Sequence, residues 1–237
     1  MKFSQDGTKI WDKSLEVQGL TTLGLDDSGN IYVGTSESYD ILKFSPDGEK
    51  LSTYNLFSAT NPQNSITKIA VDSEGNIYAG GWTSEDVFAE KQGGGDAFIV
   101  KLAPDGTQLW GKQWGGSAGD YIQVHGILID KSNNIYVAAP FNSTNMLLKF
   151  SPSGENIWES PAPGVRGLSF NKRGYIYLGG NKKIYGYDTD GNQIWEWKSS
   201  DKYFYVGDIS FDSKNNLYIF GTDYDNFLIK ISSSNIK

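Results

Sequence analysis

Short apolar runs alternate with clusters of Gly, Asn, Asp, Ser and Pro along the whole chain. This punctuation predicts strands joined by tight turns. The runs fall into sets of four, here A to D, and the set recurs five times. Run A covers 20–26, 66–72, 124–130, 165–171 and 206–212, and ends in an anchor: Asp26, Asp72, Asp130, Asn171 or Asp212. Run B covers 31–34, 77–80, 135–138, 176–179 and 217–220. Run C reads ILKF (41–44), FIVKL (98–102), LLKF (147–150), IYGY (184–187) and LIKI (228–231). Run D carries Trp110, Trp158 and Trp195, with Ser52 breaking the pattern.

A and B are joined by turns built on Asp-x-x-Gly/Asn-Asn, which supply the positive φ of a hairpin. The phrase leads into Tyr32, Tyr78, Tyr136, Tyr177 and Tyr218, spaced by 46, 58, 41 and 41 residues. A period in that range marks a solenoid, an array or a propeller. C and D are joined by turns such as Pro46-Asp47-Gly48 and Pro104-Asp105-Gly106. Lys43, Lys101, Lys149 and Lys230 share one register in run C and are expected to face outward.

The chain ends carry matching halves. KFSQDGTKIW (2–11) fits the C-to-D hairpin with Trp11 at the D marker, and the last copy supplies only A, B and C. The fold expected is therefore all-β. It is a single five-bladed β-propeller of four-stranded blades, spanning 1–237, closed by an N-terminal strand completing the C-terminal blade. Closure protects sheet edges. Residues 2–7 and 230–235 both match the same C-strand end, so a short duplication accompanies the closure, or the chain is cut from a longer array.

Composition narrows the partners. The formal net charge is −7, which disfavours nucleic acid and anionic membrane surfaces. No apolar run approaches the ~18–20 residues of a membrane helix, so no membrane insertion is expected. With no cysteine there is neither a disulfide nor a thiolate metal site. The N-terminus MKFSQDGTKIW has no apolar signal core, which leaves a cytoplasmic setting open.

Residues 93–121 (GGGDAFIVKLAPDGTQLWGKQWGGSAGDY), with 71–84 (VDSEGNIYAGGWTS), resemble the bacterial β-propeller repeat family called SBBP. The resemblance covers nearly all of the chain through its repeat pattern. It implies the propeller fold and an extracytoplasmic location, secreted or on the cell surface. It carries no catalytic residues to transfer.

Motifs with possible chemistry are few. Asp188-Thr189-Asp190-Gly191-Asn192 resembles the start of a calcium loop, but the same place reads Pro-Asp-Gly in other blades, so a turn is expected and no metal. Gly93-Gly94-Gly95, and Gly115-Gly116 with Gly119, precede no helix, so no phosphate cradle and no cofactor are expected. His125 is the only histidine and has no partner set for a triad. It sits in run A, whose strands line a propeller's channel. Counting back from the anchors puts Lys68 and Asp208 in the channel near one mouth, with His125 and Arg166 at its rim.

The D–A and B–C connections make that upper face, and they vary most. The longest, 81–95, carries Trp82 and Phe88. The D–A loops hold Tyr54 and Phe57, Trp114 and Tyr121, and Tyr203-Phe204-Tyr205. Variable loops on a rigid scaffold are where function concentrates. Exposed aromatics beside Asp, Asn and Gln suit sugar stacking or a protein partner.

The function expected is a non-catalytic, lectin-like binding module, monomeric, with a glycan or protein surface as ligand. Its site residues would be Lys68, Trp82, Trp114, Tyr121, His125, Arg166 and Asp208, centred between the 82–95 and 114–121 loops. The alternatives are a polysaccharide-acting enzyme, its acids drawn from Asp40, Asp96, Asp120, Asp208 and Asp225, and a structural repeat unit of a larger surface protein.

Overall fold

The computed structural model describes residues 1–14, 19–36, 39–56, 64–116, 122–141, 144–162, 164, 166–199, 204–223 and 225–236. The fold is an all-β, five-bladed propeller. Blade 1 is β3 (Leu20–Leu25), β4 (Ile31–Thr35), β5 (Asp40–Phe44) and β6 (Lys50–Asn55). Blade 2 is β7 (Ser65–Val71), β8 (Ile77–Thr83), β9 (Asp96–Leu102) and β10 (Gln108–Trp114). Blade 3 is β11 (Gly126–Ile129), β12 (Ile135–Phe141), β13 (Thr144–Phe150) and β14 (Asn156–Pro161). Blade 4 is β15 (Gly167–Phe170), β16 (Ile176–Gly179), β17 (Lys183–Tyr187) and β18 (Gln193–Lys198). Blade 5 comprises β19 (Tyr205–Phe211), β20 (Leu217–Asp223) and β21 (Asp225–Ile231). Every described ladder is antiparallel between sequence neighbours, so each blade is a meander that its own turns can fold.

The A–B turn shows why its phrase is repeated. Asp26 Oδ1 accepts the Ser28 and Asn30 backbone N–H groups, Oδ2 accepts the Asn30 amide, and the Tyr32 hydroxyl donates to Oδ2 at 3.2 Å. Asp72, Asp130 and Asp212 repeat the set with Tyr78, Tyr136 and Tyr218. One carboxylate thus serves turn backbone, turn side chain and the buried tyrosine, and leaves few polar groups unpaired.

The run-C lysines do not point away from the blades as a group. Lys43, Lys101, Lys149 and Lys230 lie over the rings of Tyr32, Tyr78, Tyr136 and Tyr218 at 5.0–5.2 Å. Lys101 is buried and stands 3.9 Å from Asp72. The tyrosine face and the anchor carboxylate together draw the ammonium inward.

Blades are stitched by the outer strand. Trp110 Nε1 donates to Pro152 O at 3.1 Å and Trp158 Nε1 to Thr189 O at 3.1 Å, each in the C–D turn of the next blade. Ser52 is not a gap in this series. Tyr54, two residues on and so on the same strand face, donates its hydroxyl to Pro104 O at 3.0 Å. In blades 2 and 3 the glycine of the C–D turn lies under the incoming ring: a Cβ on Gly106 would stand 2.4 Å from Tyr54, and one on Gly154 3.0 Å from Trp110. Turn geometry and blade stitching therefore both require glycine there.

The N-terminal hairpin, β1 (Lys2–Phe3) and β2 (Lys9–Trp11), has the place of an outer strand against blade 1. Trp11 Nε1 donates to Pro46 O at 3.1 Å, the same bond the other outer aromatics make. Its ladder sets Lys2 opposite Trp11, as Lys101 is set opposite Trp110. The expected ladder between β2 and β21 is not among the described pairings: β1–β2 form a sheet of their own and blade 5 has three strands. The duplicated C-strand end supplies the reason, because β1 takes the β2 edge that β21 would occupy.

Candidate functional site

One position recurs at the start of every inner strand, five residues before the anchor. In blades 1, 2 and 5 the A–B ladder bulges at Thr21, Thr67 and Gly207. His125 and Arg166 hold the equivalent places, their N–H groups donating to Ala138 O and Gly179 O at 2.8 and 2.7 Å. A bulge re-aims its side chain. Thr21 and Thr67 use this to latch blades: the Thr67 hydroxyl donates to Val124 O of blade 3 at 2.6 Å, and the Thr21 hydroxyl to Ile66 O of blade 2.

In blades 3 and 4 the latch is replaced by long, basic or aromatic nitrogen groups. His125 and Arg166 line a cavity of about 250 Å³ with Asn145, Gly164, Gly180, Asn181, Tyr205 and Val206. The cavity lies where β13, β15 and β19 begin, on the face made by D–A and B–C connections. The blade 4 B–C connection is short, with Gly180 N–H donating to Lys183 O. A Cβ on Gly164 would stand 3.0 Å from the Asn181 nitrogen, so the two connections approach closely along this wall.

Among the described residues the Arg166 side chain makes no hydrogen bond or ion pair, and neither does the imidazole of His125. Burial pushes the His125 imidazole below its ordinary range, and the charges of Arg166 and Lys68 push it the same way. The imidazole thus stands beside two cations that disfavour its own charge. Asp208 is exposed, and its carboxylate accepts the Ile209 N–H at 2.9 Å.

The other expected site residues are placed differently. Trp114 is 7% exposed between blades 2 and 3, its indole N–H donating to Pro140 O at 2.8 Å. It stitches blades and offers no open face. Trp82 is half-buried on β8. Tyr121, Asp120, Phe57 and Tyr203 lie outside the described residues.

The long 81–95 loop turns back over its own blade. Gln113 Oε1 accepts the Val87 and Phe88 N–H groups, and its amide donates to Glu85 O and to Asp96 Oδ2 at 2.9 Å. Phe88 packs on Phe98 and covers Gly111. Asp96 is fully buried in that network, and Asp40 accepts the Asn55 amide. These two acids are engaged separately, each within its own blade. At the Asp188 turn the carboxylate accepts the Asp190 and Asn192 N–H groups and the Asn192 amide, as in the A–B turns.

A model of the β-propeller repeat family SBBP matches residues 56–89 and 109–139. The chain matches SBBP β-propeller repeats over these two segments. The matched segments take in the inner strands of blades 2 and 3, with Lys68 and His125, while Arg166 and Asp208 fall outside them. No curated protein matches the sequence. Among solved structures, a Bacteroides caccae protein of unknown function is similar over 98% of this chain and 85% of its own, at 16% identity and a TM-score of 0.67. A catalytically inactive virginiamycin B lyase from Staphylococcus aureus, solved with quinupristin, is similar over 94% of this chain and 74% of its own, at 14% identity and a TM-score of 0.67. The extracellular domain of a Bacteroides thetaiotaomicron hybrid two-component system is similar over 91% of this chain and 28% of its own, at 16% identity and a TM-score of 0.61. At these identities the likeness is one of fold. The comparisons therefore speak for the scaffold, and the cavity must be read from its own residues.

Proposed function

We propose that this protein is a non-catalytic binding module, taking a glycan or a protein surface at the cavity between blades 3, 4 and 5. One observation carries the reading. At the position where blades 1 and 2 use threonine to latch their neighbour, blades 3 and 4 present His125 and Arg166 to an open cavity, their side chains without partners among the described residues. A guanidinium at a cavity wall, without a protein partner among the described residues, is available to a ligand. Lys68, whose charge acts on His125, is the further cation of the proposed site. An extracytoplasmic setting is supported by the SBBP repeats and by the extracellular domain that shares the fold.

A glycan array with the isolated protein tests the reading. Spots retained by the parent should be lost with Arg166→Ala and kept with Asp47→Ala, which lies in a C–D turn on the opposite face. Retention unaffected by Arg166→Ala, or abolished by Asp47→Ala, would move the site elsewhere.

A further inference from the structure

We infer that the cavity between blades 3, 4 and 5 recognises an oxyanion, a carboxylate in the first instance, with the Arg166 guanidinium as its principal partner. The inference rests on the binding role proposed above and adds the chemistry of the ligand.

The wall is rich in donors. Arg166 presents a planar fork of N–H groups that matches a carboxylate or phosphate in bidentate geometry. Asn145 and Asn181 carry amides and Tyr205 a hydroxyl, and no side-chain hydrogen bond engages any of them among the described residues. Val206 is the one apolar side chain of the wall. Gly164 and Gly180 leave backbone there instead of side chains. Such a wall suits a polar head group and gives an apolar ligand little to bury against.

Charge points the same way. The chain as a whole is acidic, with a formal net charge of −7. Yet the charged groups that act on His125 are Arg166 and Lys68, both positive. Asp208 is the nearby acid, and it makes no ion pair with Arg166 or Lys68 among the described residues. A local concentration of positive charge in an acidic protein, with no carboxylate ion-paired to it among the described residues, is a selective feature for an anion. A neutral ligand would leave the guanidinium uncompensated on closing over it.

The cavity also sets the size. About 250 Å³ admits a head group of monosaccharide dimensions. The oxyanion could be the carboxylate of an acidic sugar or a phosphate, and the two are separable by experiment.

The sole histidine makes the test direct, because His125 gives the only imidazole signals in the protein. Glucuronate, glucose and inorganic phosphate would each be titrated into the full chain while those signals are followed by NMR. Glucuronate should shift them saturably and raise the pH midpoint of His125, since a bound anion favours the imidazolium. Glucose should do neither. Arg166→Gln should weaken glucuronate at least tenfold with an otherwise unchanged spectrum, and Arg166→Lys should restore only part of the loss. Saturation by phosphate in place of glucuronate would keep the oxyanion and assign it to a phosphate group. Saturation by glucose as readily as by glucuronate overturns the anion inference and leaves the binding cavity standing. Anion binding unaltered in Arg166→Gln, or no saturation by either anion, overturns it as well.

Discussion

At the scale of the residue, the repeated phrase works as one electrostatic unit of Asp, Asn, Tyr and Lys, and blade 4 shows that its members depend on one another. There the anchor is Asn171, and the lysine position is Gly186. Loss of the carboxylate and loss of the ammonium coincide, as expected if each neutralises the other over a buried tyrosine. A Cβ on Gly186 would stand 2.9 Å from Tyr177, so that ring fills the space a lysine stem has elsewhere. The anchors also carry a pH signature. The Asn216 amide, the turn N–H groups and the Tyr218 hydroxyl hold Asp212 at about 2, below the ordinary 3.8. In Asp26 burial pushes upward, yet the hydrogen bonds of Asn30 and Tyr32 outweigh it and the value is lowered. A depressed folded value means the stabilisation is complete above pH ~4 and is lost as pH falls towards ~2. Asp212→Asn should therefore melt below the parent at pH 6, with the gap narrowing steadily as pH is lowered from 5 to 2. A gap that stays constant over that range would show that the carboxylate's charge is irrelevant to the turn.

At the scale of the element, the strands and turns were legible because each is set by local chemistry: period-two apolar runs, Asx turns and glycines at positive φ. The five tyrosines alone locate five B strands, and all five are strands in the structure. What the sequence concealed was direction. The lysines of run C look solvent-facing by alternation, and the pull of a tyrosine face and a carboxylate from a neighbouring strand is a tertiary effect. The 81–95 loop is the largest departure from the repeat, and length with aromatics suggested a binding loop. Its destination is set by Gln113, 25 to 28 residues on from the loop groups it holds, and nothing local announces that contact. Trp114 misleads in the same manner, since an indole on a loop boundary reads alike whether it stacks on a ligand or on the next blade. His125 and Arg166 were legible as a pair because each stands five residues before its anchor, and both line the same cavity. Gln113→Ala should cost roughly 1–3 kcal/mol, since it leaves Asp96 and two backbone N–H groups short of partners. Limited proteolysis should then cut within 85–92 much faster than in the parent, while glucuronate still shifts the His125 signals. Cleavage at the parental rate would show that the loop is held by Phe88 alone. Loss of glucuronate binding would show that the loop reaches the cavity after all.

At the scale of the whole molecule, four junctions between blades are alike and the fifth differs. Ile69, Ile127 and Ile209, at one inner position, are 8%, 9% and 5% exposed, whereas Leu23 at the same position of blade 1 is 62% exposed. On the opposite face, Ile41, Ile99, Leu147 and Ile184 are fully buried, and their counterpart Leu228 in blade 5 is 71% exposed. Phe220 adds to the difference. The equivalent residues are Gly34, Gly80, Ala138 and Gly179, and a Cβ on Gly34, Gly80 or Gly179 already stands within 3.0 Å of the next inner strand. A phenylalanine there cannot nest against a following blade at the spacing of the other four junctions. The seam between blades 5 and 1 is thus built on other terms, and the N-terminal hairpin is the part of it the structure shows engaged. Trp11 and Lys2 both donate to Pro46 O, and the groove of about 400 Å³ beside them is lined by Leu23, Leu25, Ile31, Val33 and Phe44. Without the hairpin this apolar face of blade 1 would be bare, and an uncovered apolar sheet face invites association. Trp11→Ala removes the ring and its hydrogen bond from a half-buried site, an effect on the order of 2 kcal/mol, or roughly 4–8 °C in a chain of this size. Deleting residues 1–13 should lower the melting temperature further and bring concentration-dependent association by light scattering. The contrasting change, Leu228→Asp, should leave the melting temperature within about 2 °C, because that side chain is exposed. If the truncated chain melts like the parent and stays dispersed, the hairpin is no part of the seam. If Leu228→Asp proves as damaging as Trp11→Ala, blade 5 packs on blade 1 in solution despite Phe220.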